Sequence, residues 1–388
     1  MNGCSSIRLR CPEFRTATAW RFWQWIPGAG RGGNEESGEG DHRGVLDRTA
    51  LMPYSRRMDG KSVGNTNVRV SPLTFGAWAI GGWMWGGAEE KDAMAAIRKS
   101  LELGITTIDT APVYGFGRSE DIVGRALQSV PRDQYQLLTK CGMNWETEEG
   151  EYFFDTNDES GRPIRMHKFA GKDRIIQECE DSLRRLKTDY IDLYQLHWPD
   201  ATTPISETME AFDRLRQQGK VRAAGVCNYS ADQMLEALKT IDLASNQVRY
   251  SMVSRDIEKD IVPLAQKNQM SILPYSPMER GFLTGKFHSQ SNFNAGDTRA
   301  NSKWMQSENM HKLERLLDHL RQIASGHGAT LSQVVLRWTM EQPAIATVLA
   351  GARNAHQVEE NAGAIALRLS EADLQSIDSK VNELGLAS

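Results

Sequence analysis

Leu73-Thr74-Phe75-Gly76-Ala77-Trp78-Ala79-Ile80-Gly81-Gly82 decides between two folds that the rest of the chain would accept. The run reads as a core strand that ends in glycines. In an open, doubly wound sheet the first strand leads into Gly-x-Gly-x-x-Gly, whose glycines let the turn approach the phosphates of a dinucleotide. Glycine stands here at positions 76, 81 and 82, which breaks that spacing. A Walker-type phosphate loop is missing as well. The nearest candidate, Gly281-Phe282-Leu283-Thr284-Gly285-Lys286, is one residue short, and no Ser or Thr follows the lysine.

Working outward from that run, β-prone apolar segments alternate with amphipathic ones. Strands are expected at Leu73–Ile80, Thr106–Thr110, Tyr135–Cys141, Tyr190–His197, Arg222–Cys227, Ser245–Tyr250, Met270–Tyr275 and Ile345–Ala350. Helices are expected to start near Glu89, Ser119, Lys172, Ile205, Ala231, Ile257, Glu308 and Ala355. Several strands are nearly continuous apolar runs, the pattern of a parallel strand covered on both faces. Eight alternations in about 330 residues predict an α/β fold of the (β/α)8, or TIM, barrel type. Before it, Val63–Ser71 reads as an N-terminal β-hairpin around Gly64-Asn65-Thr66-Asn67. Two segments, 142–171 and 278–309, are long for simple connections. Both follow strands, so both should overhang the face where barrel active sites lie.

The 388 residues include 40% hydrophobic and 25% charged side chains, enough to bury a sizeable core. A net charge of -4 implies no general attraction to nucleic acid or to an anionic membrane surface. The five cysteines, Cys4, Cys11, Cys141, Cys179 and Cys227, are odd in number and form no Cys-x-x-Cys pair. That argues against a disulfide framework and against a structural zinc site, and fits a reducing, cytoplasmic setting. Cys141, Cys179 and Cys227 are expected to pack as small apolar groups. Residues 1–57 differ from the rest: arginine-rich and acid-poor up to Gly33, then glycine-rich, with no periodicity. They are expected to be a disordered or non-native extension, with a targeting segment as the alternative. The barrel is expected to occupy residues 58–388.

A barrel gathers chemistry at the C-terminal ends of its strands. The second strand ends in Asp109, and Tyr114 follows in its loop. Lys140 stands near the end of the third strand, and His197 ends the fourth. A carboxylate, a phenol, an ammonium and an imidazole are thus aimed at one mouth. This set suits proton donation to a carbonyl oxygen, with the cation stabilising a phenolate and the carboxylate holding the cation.

Asp109-Thr110-Ala111-Pro112-Val113-Tyr114-Gly115, followed by Ser119-Glu120, resembles the signature of the aldo-keto reductase superfamily. Leu137-Leu138-Thr139-Lys140, Asp181-Ser182-Leu183-Arg184-Arg185-Leu186, Asp189–Pro199 and Gly219-Lys220-Val221-Arg222 continue the likeness, which runs from about Met58 to the C-terminus. It is nearest to a bacterial-type branch with Pro274-Tyr275-Ser276-Pro277 and a Leu-Thr-Gly-Lys segment. The resemblance implies a barrel that binds a nicotinamide cofactor and transfers hydride to an aldehyde or ketone. Its catalytic four map to Asp109, Tyr114, Lys140 and His197. In that scheme Tyr114 gives the proton, Lys140 lowers the tyrosine's pKa, and His197 orients the carbonyl.

The resemblance also implies a cofactor site. Asn228 and Gln247 would hold the carboxamide, and Tyr275 would stack on the nicotinamide. Ser276, Met278, Arg280, Gly281 and Lys286 would wrap the diphosphate. Gly351, Arg353, Gln357, Glu360 and Asn361 resemble the adenosine site. Cys227 stands where the family commonly has serine, so one hydrogen bond is weakened there. Arg353, with no acidic residue in 351–357, leads to an expectation of NADP(H). Trp78, Trp85, Trp145 and Phe116 are expected around the mouth, with Trp78 and Trp145 as candidate substrate contacts. No metal is expected, and the partner is a small-molecule carbonyl substrate. Two other readings stay open. One is a cofactor-binding accessory or regulatory subunit, whose branch has Asn in place of the histidine. The other is a dehydrogenase acting on a polyol or sugar.

Overall fold

The computed structural model describes residues 60–83, 89–158, 160–293 and 298–387. The expected extension 1–57 and the mouth residue Trp85 lie outside the described residues.

The described chain opens with a hairpin of β1 (Lys61–Ser62) and β2 (Arg69–Val70), paired antiparallel as the Gly-Asn-Thr-Asn turn predicts. Eight parallel strands follow, interleaved with helices. They are β3 (Leu73–Gly76), β4 (Thr107–Asp109), β5 (Gln136–Cys141) and, after three strands described below, β9 (Ile191–Leu196), β10 (Val221–Cys227), β11 (Ser245–Arg249), β12 (Ser271–Tyr275) and β13 (Val348–Gly351). Neighbours run β12-β11-β10-β9-β5-β4-β3-β13. The ring closes where the Ile272 N–H donates to Ala344 O at 2.8 Å and Ile272 bridges Ile345 in parallel. This is the expected (β/α)8 barrel.

The helices are α1 (Glu90–Glu102), α2 (Arg118–Leu127), α3 (Lys172–Leu186), α4 (Ile205–Gln217), α5 (Ala231–Ala237), α6 (Ile261–Lys267), α7 (Ser307–Gly326), α8 (Leu331–Glu341), α9 (Ala355–Ala366) and α10 (Glu371–Glu383). None is long and apolar enough to cross a membrane. Helices α8 and α10 have no counterpart in the expected set. Three boundaries also differ by three residues or more, the last strand starting at Val348 in place of Ile345. The first strand stops at Gly76 and gives way to a short turn at Ala79–Gly81, and the helix expected near Ile257 starts at Ile261 after a short turn at Asp256–Glu258.

Residues two apart on a strand share a face. One face, with Ile108, Leu137, Tyr194, Ala224, Ile272 and Val348, joins the large core under the helices. The other turns into the barrel, where Leu138, Leu193, Ala223, Leu273 and Leu349 cluster with Val63, Val68 and Val70 of the hairpin. Both faces are therefore apolar, which accounts for the unbroken runs in the sequence. The hairpin plugs the N-terminal end and leaves the chemistry to the other.

At that other end the long 142–171 segment is not a simple loop. It folds into an antiparallel sheet of β6 (Met143–Asn144), β7 (Glu151–Asn157) and β8 (Pro163–Lys168), in the order β6-β8-β7. Glu151–Asn157 reads EYFFDTN and alternates poorly, so periodicity did not mark it.

Candidate active site

The inward face that is apolar near the hairpin turns polar at the strand ends. Asp109, Lys140 and Gln195 follow inward residues of β4, β5 and β9 by two positions; Lys140 pairs with Gln195, and Asp109 pairs with Leu138, the inward residue before Lys140. Lys140 Nζ lies 2.5 Å from Asp109 Oδ1, 3.0 Å from the Thr110 carbonyl oxygen and 3.1 Å from Tyr114 Oη. Lys140 is fully buried and Asp109 is 2% exposed, so the pair interacts through little solvent. The edge of His197 meets the Tyr114 ring, with centroids 5.7 Å apart. The four residues expected to act together are thus adjacent.

Burial pulls the Lys140 ammonium down, but the Asp109 carboxylate and its hydrogen bond outweigh this and hold it above the ordinary lysine value. Burial pushes the Tyr114 phenol up to about 12, and Lys140 offsets only part of that. Lys140 thus lowers the tyrosine's pKa, as expected, and burial raises it by more. The cation moderates an increase set by burial, and Tyr114 is fully protonated at neutral pH. Burial, then the charge on Lys140, drives His197 well below the usual imidazole range, so the ring is neutral.

The position of Tyr114 depends on two glycines. A Cβ on Gly115, at φ +70°, would meet the Gly81 carbonyl oxygen at 2.0 Å, and one on Gly81 would meet the Tyr114 carbonyl oxygen at 2.6 Å. Only bare backbones can touch there. The contact sets the Trp78 turn against the Tyr114 loop, and the Trp78 ring stacks on Tyr114 at 6.0 Å. Beneath the loop, Ser119 Oγ donates to Ala77 O at 3.0 Å and lies 2.9 Å from Thr110 Oγ1. Glu120, also buried, accepts from Thr139 Oγ1 and Arg185 Nε, both at 2.6 Å. The Asp181–Leu186 segment therefore supports the site through Arg185.

Gln195, which sequence reasoning left unassigned, sends Nε2 to Asp109 Oδ2 at 3.4 Å, and Gln247 Nε2 does so at 2.9 Å. The signal for Gln195 was a lone amide in an apolar strand, two residues before His197. Gln247, expected at a cofactor carboxamide, is here a partner of Asp109. The backbone of Asn228 is left-handed (φ 58°); its side chain donates to His197 O at 3.1 Å and accepts from Tyr275 Oη at 3.0 Å. Cys227 is buried beside these groups, and burial pushes its thiol well up. Cys141 and Cys179 are buried and free, as expected.

Around the mouth, Trp145 meets Phe116 edge-on at 5.5 Å, and Phe116 contacts Trp83 at 5.5 Å. Trp83 stacks on Phe154 of β7 at 6.2 Å and donates from Nε1 to Thr156 Oγ1 at 3.2 Å. Phe153 covers Trp198 at 5.4 Å. Trp83 and Trp198 were not anticipated here, and Phe153 and Phe154 only as part of a long aromatic-bearing segment at the rim, because the small sheet that assembles them was not foreseen. Clefts of about 700 and 650 Å³ lie at the opposite end, beside Asn67, Gly219 and Arg222. They gather no comparable catalytic set, so the strand ends define the site.

At the end of β13 the Arg353 N–H donates to Gln357 Oε1 at 2.9 Å, and Asn354 caps α9 by accepting from the Gln357 N–H at 3.0 Å. Asn361 Nδ2 reaches Gly351 O at 3.4 Å, and Glu360 O accepts from Gln333 Nε2 at 2.9 Å. The Arg353 guanidinium forms no ion pair among the described residues. A Cβ on Gly351 would meet only Gly76 O, at 3.8 Å, so this strand end is open. Ser276, Met278, Arg280 and Gly281 form a turn after β12, with Lys286 exposed beyond it. Two amides, an accessible aromatic ring, cations and an open helix N-terminus are a donor set that fits a nicotinamide dinucleotide.

A parallel barrel whose strand ends gather a phenol, a carboxylate-held ammonium and an imidazole is the architecture to set beside known proteins. A family model described as the aldo/keto reductase family matches residues 72–382. Aldo-keto reductase YhdN of Bacillus subtilis (strain 168) is 38% identical over 304 residues, covering 78% of this chain and 87% of its own. An NADH-specific methylglyoxal reductase of Escherichia coli (strain K12) is 37% identical over 316 residues, covering 80% and 94%. Among solved structures, glycerol dehydrogenase AKR11B4 from Gluconobacter oxydans matches with a TM-score of 0.77 at 36% identity, over 85% of this chain and 97% of that one. The chain belongs to the aldo/keto reductase family. It is accordingly an oxidoreductase of the kind that pairs a nicotinamide cofactor with small carbonyl compounds.

Proposed function

We propose that the chain reduces aldehydes and ketones to alcohols with NADPH, using Tyr114 as the acid. The observation that carries this reading is the contact of Tyr114 Oη with Lys140 Nζ at 3.1 Å, while Asp109 holds the same ammonium at 2.5 Å. The nicotinamide, when bound, supplies the hydride. Tyr114 Oη gives its proton to the carbonyl oxygen as negative charge develops there. Lys140 then faces the phenolate, and its charge opposes the loss of acidity that burial imposes. Neutral His197 can donate one N–H to the same oxygen and orient it. Trp78, stacked on Tyr114, and Trp145 at the rim offer apolar faces to the substrate.

Asn228 and Gln247 would hold the carboxamide, and Tyr275 would lie under the ring. Arg280 and Lys286 would face the diphosphate, with Ser276, Met278 and Gly281 shaping the turn. Gly351, Gln357, Glu360 and Asn361 would frame the adenosine. Arg353 supports NADP(H), because its guanidinium has no counter-charge among the described residues at a helix N-terminus, where a 2′-phosphate would be met. The NADH-specific name of the Escherichia coli relative makes the opposite preference the alternative to test.

The likeness to a glycerol dehydrogenase favours a second reading, oxidation of a polyol or sugar through the same site. One experiment addresses both. Carbonyls are offered with NADPH or NADH, polyols with NADP or NAD, and absorbance of the reduced cofactor is followed. Turnover of aldehydes with NADPH is the expected result. Tight cofactor binding without turnover of any substrate would favour an accessory role, and a marked preference for NADH would overturn the cofactor assignment.

A further inference from the structure

Glu279 has no role in the chemistry described so far, yet its surroundings are unusual for a loop carboxylate. It is 3% exposed and takes three hydrogen bonds from two separate parts of the chain. Arg249 Nη2, at the end of β11, donates to Oε2 at 2.5 Å. Ser251 Oγ, in the following loop, donates to Oε1 at 2.7 Å. The indole N–H of buried Trp304, in the turn Lys303–Met305, donates to Oε2 at 3.2 Å.

The backbone that carries this carboxylate is itself constrained. Ser276, Glu279 and Arg280 are left-handed at φ 56°, 50° and 54°, and Gly281 follows at 99°. Left-handed conformations at non-glycine residues are sparsely populated and persist only where surrounding contacts over-determine them. The backbone hydrogen bonds Glu279 N to Ser276 O at 2.9 Å, Gly281 N to Met278 O at 2.8 Å and Leu283 N to Met278 O at 3.3 Å are all local and tie the turn only to itself. The three side-chain bonds to Glu279 supply the remaining constraint. The turn starts one residue after Tyr275, which bonds Asn228 at the mouth, and it carries Arg280 and then Lys286 to the surface.

We propose that Glu279 is a positioning residue for the cofactor. Its buried carboxylate, gripped by Arg249, Ser251 and Trp304, keeps the 276–281 turn in the shape that presents its backbone and cations to a diphosphate. The inference rests on the cofactor reading above and goes beyond it. A preformed turn leaves less ordering to be done on binding, so loosening it weakens the ligand without touching a contact atom.

The test compares wild type, Glu279→Gln and Ser251→Ala by fluorescence titration with NADPH, NADH and adenosine 2′-phosphate, which has no diphosphate. Release of the dinucleotide is timed by stopped flow. Loss of the turn's shape should raise the dissociation constant for dinucleotide by about tenfold or more in Glu279→Gln, mostly through faster release, and by less in Ser251→Ala. Adenosine 2′-phosphate should bind all three proteins alike, and the cofactor KM should rise more than kcat falls. Equal weakening of adenosine 2′-phosphate would show a general structural defect and overturn the proposal. So would unchanged dinucleotide affinity in both folded variants. A wild-type chain that binds neither dinucleotide would overturn the cofactor reading and this inference together.

Discussion

Tyr114→Phe removes one oxygen from the centre of the site and little else. The ring stays against Trp78, 6.0 Å away, and against His197, 5.7 Å away. Lys140 loses a partner at 3.1 Å but keeps Asp109 at 2.5 Å and Thr110 O at 3.0 Å, so no buried ammonium is left alone. The variant should therefore fold and bind cofactor nearly as wild type does. What it lacks is the only acidic proton on that ring, and general acid catalysis of this kind contributes about 10² to 10⁴-fold, or roughly 3–5 kcal/mol of barrier. The phenol's pKa adds a second expectation. With the group pushed up to about 12, its protonated form is complete throughout the neutral range and is lost only as pH rises toward that value. Reduction by wild type should thus show no loss from tyrosine ionisation around neutrality. The assay is single-turnover oxidation of bound reduced cofactor by an unactivated aldehyde, run as a pH series. A Phe variant that retains near-normal turnover, with its cofactor affinity intact, would remove Tyr114 from the role of acid.

Lys140→Met should destabilise the fold by about 3–5 kcal/mol in chemical denaturation, because it leaves a buried carboxylate without its cation. A loss under about 1 kcal/mol would mean that the Gln195 and Gln247 amides suffice to satisfy Asp109. Arg353→Ala should weaken NADPH by about 1.5–3 kcal/mol and barely affect NADH, as measured by both dissociation constants. Equal losses would show that Arg353 shapes the strand end and does not read a 2′-phosphate. Glu178, buried in α3, accepts the Gly142 N–H at 2.8 Å and pairs with Arg174, which also meets Glu146 beside Trp145. Burial lifts its carboxyl to about 7 against an ordinary 4.5, so the unfolded chain ionises first as pH rises. Relative to Glu178→Gln, wild type should lose roughly 3 kcal/mol of unfolding free energy between about pH 4 and about pH 8, and parallel curves would refute the shift.

The barrel and the residues that cluster at its mouth were legible in the sequence because each leaves a local record. A strand covered on both faces must be apolar at every position, and eight such runs can be counted without knowing where they meet. Asp109, Lys140 and His197 each lie within one residue of a strand end, and the ends of parallel strands gather at one mouth whatever the side chains do. Tyr114 followed from the residues around it. Helices α8 and α10 and the 143–168 sheet left weaker records. The sheet's strands face solvent on one side and an aromatic rim on the other, and they blend charge with aromatic residues out of phase.

Only the tertiary structure decided how these residues act on one another. Gln195 and Gln247 converge on Asp109 from 86 and 138 residues away, and no spacing in the chain encodes that meeting. The direction in which Tyr114 is tuned could not be read either. It depends on whether the loss of solvent around the phenol or the nearby ammonium has the larger effect, and burial depends on everything packed around it. The same holds for Glu279, which in sequence is one carboxylate in a polar loop and in the fold is the meeting point of three elements. Hydrophobic periodicity records which way a residue faces over a few neighbours. Hydrogen-bond partners and local dielectric are set by segments that only folding brings together.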